Sequence, residues 1–480
     1  MPSDAPAVTS DAPALAPPTD VETAMAAHRA FLDYSDGMLL LRAFNDNMVI
    51  VPSGRAHIDT YAFGGPGVAA FRRANGTGLV PNMFFRRFIL EMGGVIRHDW
   101  SFWIGGNFAP TTIDANQAVT SPASVYDGFI AYEPGPWLKL HAGQYNIPVT
   151  MENVTSSRWL DFMERALIVR TIAAPYNKDL GFMAWGEIEK GFFEYQLGVF
   201  GGEGQNRMNV DDYVDGMGRV LVRPLASSTN ASKRLHIGAS GRYGWRHPAH
   251  VMYDAPTMST PGGYAYWTPS YGSGAAETHI MPARDQVVGV GEVYVPFERF
   301  DIRGEATYVS EGRREALATS RNVVLRKGKL EGWGGYAQLS LWPLGTPRIN
   351  GNPAGPYGRI RLPKDKGAEA PFGLQVVMRG EMVRLKYNSA SEAGVAAGTS
   401  AITDHIDVNA FQVATNYWMT KHVRLTAEYS LYQFPGTPEG TVPTAAPPTN
   451  LAGAPGARGR ASDQSASVLH EISFRVGLAL

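Results

Sequence analysis

Apolar and polar residues alternate one for one in sixteen stretches of this chain. They lie near 54–63, 84–94, 97–108, 124–133, 137–146, 180–189, 191–200, 216–225, 233–244, 285–296, 298–309, 331–343, 371–386, 408–418, 422–433 and 468–480. A period of two sends successive side chains to opposite faces, so each stretch predicts a β-strand with one apolar and one polar face. The last is the clearest: His470, Ile472, Phe474, Val476, Leu478 and Leu480 share one face, and Glu471, Ser473 and Arg475 the other. The connections alternate too. Tight ones such as 133–136 and 296–298 take turns with long ones such as 201–215 and 246–284, although 343–371 is long, Gly- and Pro-rich, and on the short side. An even strand number with short turns on one side and long loops on the other predicts an all-β fold, a sixteen-stranded antiparallel barrel that crosses a membrane.

The stretch from Gly143 to Arg165 breaks the pattern. Before it, Trp137 to Ala142 alternates; after Pro148, Trp159, Phe162 and Met163 recur at helical offsets behind Thr155, Ser156 and Ser157. A long connection with its own helical turn folds over a site or packs as a lid, and we expect 146–180 to enter the lumen and narrow it. At the other end, Met1 to Asp20 is rich in Pro, Ala, Ser and Thr and reads as a disordered tail. Val21 to Leu32 predicts a short helix, and Met38 to Val51 a hairpin leading into the first strand. The expected division is therefore 1–36, tail and helix, and 37–480, barrel.

Composition sharpens this picture. At 480 residues the chain exceeds one ordinary soluble core, unless one closed architecture uses it all. It holds 53 Gly, 21 Tyr, 21 Phe and 10 Trp, with 44% hydrophobic residues. A spanning helix needs about 20 apolar residues in a row, and no such run exists, whereas a barrel strand needs only about 10 alternating ones. A soluble propeller or multi-sandwich shares the composition; the order of strands and loops favours the barrel. The absence of cysteine excludes disulfides and thiolate metal sites. The net charge of −1 gives no case for nucleic acid, so ion selectivity must be local. Met1-Pro2-Ser3-Asp4 lacks the basic and apolar regions of a signal peptide, so we expect the exported chain in mature form.

Four groups of residues carry a family resemblance. They are Gly143-Gln144-Tyr145 with Thr155-Ser156-Ser157-Arg158-Trp159 and Glu164-Arg165; Phe85-Arg86-Arg87 with Leu90, Glu91, Gly93 and Gly94; Tyr336-Ala337-Gln338-Leu339; and Asn416-Tyr417-Trp418. Together they resemble the outer-membrane porins that include the phosphate- and polyphosphate-selective porins. The resemblance implies a channel in the outer membrane of a Gram-negative bacterium, a homotrimer among membrane lipids, and no cofactor. In the phosphate-selective relatives it implies lysines at Asn153 and Arg158, serines at Ser156 and Ser157, an arginine at Arg165 and an aspartate at Asp127. This sequence keeps the serines, Arg165 and Asp127, conserves charge at Arg158, and is neutral at Asn153. An arginine that some relatives carry before the loop is Gln144 here. The terminal strand is similar to the C-terminal assembly signal of such barrels, with Leu480 where Phe is frequent.

Placing the apolar parity against lipid sends Arg55, Arg87, Lys139, His141, Arg219, Arg223, Arg242, Arg303, Arg379, Arg424 and Arg475 inward. Asp59, Glu91, Asp127, Glu187, Glu292, Glu305, Glu381, Glu428 and Glu471 go with them, and cross-strand ion pairs explain much of this mixed lining. Tyr126 and Tyr132, or Phe193 and Tyr195, fall on the lipid parity near strand ends, as girdle residues would. The loop adds Arg158, Arg165 and Arg170, partly offset by Glu152, Asp161 and Glu164. Fixed cations where walls converge favour anions, and guanidinium matches phosphate oxygens. The candidate solute-binding set is Asp127, Asn153, Ser156, Ser157, Arg158, Arg165 and Arg170.

No nucleophile elbow, zinc-protease helix or phosphate loop is present, so no enzyme is expected. His247 and His250 lie in a Gly- and Tyr-rich loop without a third metal ligand. The expected function is passive diffusion of small hydrophilic solutes with an anion bias, phosphate among them. Alternatives are a porin for sugars or organic acids, and a surface barrel with a plugged bore.

Overall fold

The structure, a computed structural model, describes residues 32–35, 38–43, 47–65, 68, 79–97, 99–109, 112–113, 119–120, 123–271, 277–346, 372–391, 401–420, 422–435 and 468–479. Among them sixteen strands pair antiparallel in chain order: β1 (Met48–Gly64), β2 (Asn82–Ile96), β3 (Trp100–Asn107), β4 (Ser124–Gly135), β5 (Leu138–Asn146), β6 (Lys178–Ile188), β7 (Phe193–Phe200), β8 (Asp215–Val222), β9 (His236–Arg246), β10 (Thr278–Pro296), β11 (Phe300–Leu317), β12 (Ser320–Thr346), β13 (Phe372–Ser391), β14 (Ile402–Trp418), β15 (Val423–Gln433) and β16 (Val468–Ala479). The last strand then meets the first, from His470 opposite Gly64 to Ala479 opposite Arg55. Closure removes both sheet edges, as a sheet in lipid requires.

The distribution of polarity is inverted relative to a water-soluble protein. On β16, Ile472, Phe474, Val476 and Leu478 are exposed, while Glu471, Ser473 and Arg475 are buried. Met83, Phe85, Phe88, Leu90 and Met92 stand outward on β2, and Glu91 inward. Of the charged residues expected on the inward parity, Arg55, Arg219, Arg223, Arg303, Arg379, Arg424 and Arg475 are buried, as are Asp59, Glu91, Asp127, Glu292, Glu305, Glu381, Glu428 and Glu471, whereas Glu187 is 37% exposed. Lys139 also faces in, its ammonium 3.6 Å from the centre of the Trp185 ring. Tyr132 lies with Trp100, ring centres 5.0 Å apart, and Trp100 is exposed on the outer face.

Of the register shifts in the barrel, two re-aim residues near the connection 147–177. Opposite β1, the register steps from His57–Arg87 to Ile58–Phe85, leaving Arg86 without a cross-strand partner. Opposite β3, it steps from Gly105–Asp127 to Gly106–Val125, leaving Tyr126 unpaired. An extra residue re-aims its side chain. Arg86 bonds the inward Asp59 at 3.2 Å. Tyr126, placed by parity on the lipid face, instead faces inward beneath the cations of Lys178 and Arg55, at 4.2 and 5.1 Å from its ring centre.

Three further expectations change. The residues between 309 and 331 continue β11 and β12 into one long hairpin turning at Leu317 and Ser320. The strands predicted at 298–309 and 331–343 stop short of this stretch, whose charges pair on the inner face, Arg313 with Glu311 and Arg326 with Glu315. The middle of the 246–284 connection carries a short ladder, Met258–Ser259 with Ala265–Trp267, and buries Tyr264, Tyr266, Trp267 and Tyr271. The helical turn expected around Trp159 is absent: one turn runs Met151–Val154, capped by the Thr150 side chain, and a π-turn runs Val169–Ala173.

The tail, most of the 21–32 helix and most of 343–371 lie outside the described residues. Leu32 opens a strand, Leu32–Ser35, that pairs with Met38–Ala43, which in turn pairs with β1. The expected boundary between 36 and 37 falls inside this hairpin.

Candidate functional site

Residues 147–177 connect β5 to β6 with little secondary structure, so their backbone donors and acceptors need outside partners. The barrel's inward side chains supply them. Glu305 accepts from the Met151 amide; Glu428 accepts from Met163 at 2.9 Å and Glu381 from Leu167 at 2.6 Å. Arg424 donates to the Leu160 carbonyl at 2.5 Å, Asn416 to that of Asp161 at 2.7 Å, and Arg475 to that of Met163. The Asp161 carboxylate takes Gln338 and Gln375, both at 2.8 Å, and Arg303 at 3.0 Å. Strands from β11 round to β16 thus hold one connection, and much of the lumenal charge is spent on it.

The base of the connection is closed by Gly143 and Asn153. Gly143 has φ 135°, and a Cβ there would run into the Gly128 carbonyl oxygen. Only glycine occupies that conformation without strain. Asn153 is fully buried, and its amide donates to the carbonyls of Ile147 and Asn177, each at 3.0 Å.

The expected solute-binding residues divide by what they touch. One cluster brings Ser156, Ser157 and Arg158 against β1 and β2. Arg55 donates to Ser157 at 2.8 Å and Ser156 at 3.2 Å and pairs with Glu91. Arg158 reaches Ser53 and the other oxygen of Glu91, each at 2.5 Å. Beside it lie Tyr126 and the Lys178–Asp127 pair at 2.5 Å. Arg165 faces elsewhere: it is buried and donates to the carbonyls of Glu152, Asn153 and Thr155. Arg170 donates to Ser259 O at 2.5 Å, joining this connection to the 247–277 one.

Lys178, which the inward parity passed over, belongs to this cluster. Arg86, turned inward by its bulge, lies apart from it against Asp59, Tyr61 and the Pro261 carbonyl. Lys178 opens β6, and its ammonium bonds Asn146 Oδ1 at 2.6 Å, while Asn146 Nδ2 donates to the Asn153 carbonyl at 2.5 Å. A cation therefore stands near the position where the resemblance implies a lysine and this chain has Asn153. An inward parity count from Asp179 would not have found it.

The ion pairs here are asymmetric towards water. The Arg158 side chain is 18% exposed and its partner Glu91 0%; Arg86 is 21% exposed against 0% for Asp59. Arg242 shows 12% against 0% for Asp215, and Arg87 slightly more than Glu164. Other pairs reverse the order: Glu187 is 37% exposed beside Arg223, and Glu152 and Glu164 are each 9% exposed beside Arg379 and Arg475, at 1% and 0%. Burial pushes the Glu164 carboxyl up, but the guanidiniums of Arg87, Arg86 and Arg475 outweigh it and hold it well below the ordinary carboxylate value. Among the described residues no His, Asp or Glu group forms a metal site.

Residues 67–248 match the family model described as phosphate-selective porin O and P. Among curated proteins none matches by sequence. The structure is similar to OmpT of Vibrio cholerae, folded in vitro and in trimer form, at 9% identity and TM-score 0.46, over 90% of this chain and 99% of that one. It is similar also to the outer membrane channel DcaP of Acinetobacter baumannii, at 9% identity and TM-score 0.46, over 90% and 97%. Over residues 67–248 the chain is thus similar to that porin family, and its closed barrel, apolar outside and charged inside, has the form of a membrane-spanning barrel.

Proposed function

We propose that this chain is a porin of the Gram-negative outer membrane that conducts small hydrophilic solutes passively and prefers anions, with residues 147–177 narrowing the bore. The observation that carries the anion preference is the asymmetry of the ion pairs. Where Arg158, Arg86 and Arg242 meet their carboxylates, the guanidinium reaches water and the carboxylate does not. A passing ion therefore meets the positive end of each dipole first, in a region where low-dielectric walls concentrate the field. Ser156 adds a hydroxyl beside Arg158, a combination suited to phosphate oxygens.

The test is a planar bilayer recording under a potassium chloride gradient. Stable open steps with an anion-selective reversal potential support the proposal, and a cation-selective sign refutes it. A second reading, a barrel whose bore is plugged, has its own support. Leu167, Ile168, Val169 and Ile172 form a dry apolar cluster with Trp267, Tyr266, Leu385 and Ile406 inside the wall. A silent bilayer from folded protein favours that reading. Homotrimer is the assembly expected from the family resemblance, and cross-linking in the membrane tests it.

A further inference from the structure

On the side of the long connections lies a cavity of about 510 Å³, lined by Pro175, Tyr176, Arg207, Tyr253, Pro256 and the ion pair of Arg321 with Asp254, among others. Arg207 belongs to the β7–β8 connection. Its guanidinium lies 4.1 Å from the centre of the Tyr176 ring and 4.6 Å from that of Tyr253. Gly204 makes this approach possible: it has φ 91°, and a Cβ there would collide with the Tyr176 ring. Arg207 donates one long hydrogen bond, 3.4 Å, to the Glu203 carbonyl, and makes no ion pair among the described residues. The arginines around it differ: Arg246 and Arg242 are paired with Asp215, Arg313 with Glu311 and Arg321 with Asp254. A narrower cavity shares Tyr176, Arg207 and Tyr253 and runs on to Arg242, Arg246 and Arg313.

We infer that Arg207, held between Tyr176 and Tyr253, is a capture site at the channel mouth for small organic carboxylates that carry an apolar body. Aromatic faces attract a cation without neutralising it, and they fix its plane in advance. The guanidinium fork keeps donors for a bidentate carboxylate, and little rotamer freedom is left to lose on binding. The cavity is much larger than one oxyanion and falls in the range of organic-ligand pockets. Its tyrosine and proline walls offer apolar contact that a fully hydrated inorganic anion does not use. The site deepens the proposed function by naming a solute class, yet its occupancy requires no open bore.

The test is titration calorimetry on the full chain folded in detergent, with benzoate, acetate and inorganic phosphate as probes. Benzoate is expected to bind more tightly than acetate or phosphate, and Arg207→Ala to weaken it roughly tenfold, as loss of one charged hydrogen-bonding partner does. Arg207→Lys should recover only part, because it restores charge without the fork. Tyr253→Ala should weaken benzoate more than phosphate. All three substitutions lie outside the strand ladder, and the heat-modifiable mobility of folded barrel checks each variant. Phosphate binding as tight as benzoate, or benzoate binding unchanged in Arg207→Ala, overturns the inference. Arg207-dependent binding by a protein that shows no bilayer steps supports the capture site while refuting the channel, so the two readings fail separately.

Discussion

Arg158→Ala is the substitution that most directly tests whether the exposed ends of lumenal ion pairs set selectivity. It removes a positive charge beside the passage and uncovers Glu91, which keeps Arg55 as its partner. A unit charge about 5 Å from a monovalent ion's path contributes ~0.8 kcal/mol at the dielectric constant of water. Screening over a Debye length of about 10 Å at 0.1 M salt leaves ~0.5 kcal/mol. The term has opposite sign for cation and anion, so their permeability ratio shifts by ~1 kcal/mol, roughly fivefold. At 1 M salt, with a Debye length of about 3 Å, the shift falls below about twofold. The assay is reversal potential under a salt gradient, repeated at both mean ionic strengths. Arg165→Ala is the internal control: that guanidinium is turned onto three backbone carbonyls, so it should loosen the connection without a comparable, salt-dependent change in selectivity. An Arg158→Ala channel with the wild-type ratio at 0.1 M, or an equal shift in Arg165→Ala, would refute the reasoning.

Three other outcomes are expected. Asp127→Asn leaves Lys178 buried without its carboxylate and should cost about 3–5 kcal/mol of unfolding free energy, while the double variant Asp127→Asn with Lys178→Met recovers most of it; urea unfolding in vesicles measures the cycle, and strictly additive losses would count against the pairing. Gly143→Ala combines a left-handed φ with a backbone collision, so it should assemble poorly and yield less of the heat-modifiable folded band, whereas Gly289→Ala, where a Cβ meets nothing within 4 Å, should assemble normally. Burial pushes the Glu203 carboxyl up to about 7 from 4.5, against the pull of Arg246 and with Asp211 and Asp215 adding to the rise. The folded chain then binds this proton more tightly than the unfolded one, so the stabilisation is complete below about 4.5 and is lost as pH rises through 7; hydrogen exchange across 201–214 should slow on acidification through that window, and a flat profile would contradict the burial argument.

How far these features could be read in advance depended on which force wrote them. Lipid imposes strict alternation on any strand that crosses it, so the sixteen strands and their order were legible. Two kinds of event were not. A bulge shifts parity without changing composition, which hid Arg86 and put Tyr126 on the wrong face. Charges that pair on an inner wall look the same in sequence as charges in water, and the predicted strands 298–309 and 331–343 stop short of the hairpin at Leu317 and Ser320. The connection 147–177 shows a related limit. Trp159 and Phe162 hint at a helix through their spacing, but Trp159 stacks on Trp418 at 5.8 Å, and Phe162 packs with Val377 and Ala414. Distant strands decide the conformation there, and local periodicity does not report them.

The same anchoring explains why a lumen rich in arginine need not act as a strong anion trap. Arg379, Arg424 and Arg475 are each tied to the connection: Arg379 to Glu152 at 2.9 Å, Arg424 to the Leu160 carbonyl, and Arg475 to Glu164 at 2.9 Å. These buried cations carry the cost of desolvation and offset it with fixed partners, so they stiffen the connection and leave little field for a solute to meet. On the proposed reading, selectivity then falls to the few cations whose carboxylates lie deeper than they do. Because such cations keep a counter-charge behind them, they would attract an anion without binding it tightly, which conduction requires since each solute must also leave. Adding cations to the wall would raise occupancy and slow release. On this argument Glu91→Gln, which keeps Arg158 and Arg55 but removes the charge behind them, should increase anion selectivity while lowering single-channel phosphate current, and a rise in both would show that release is not limited there.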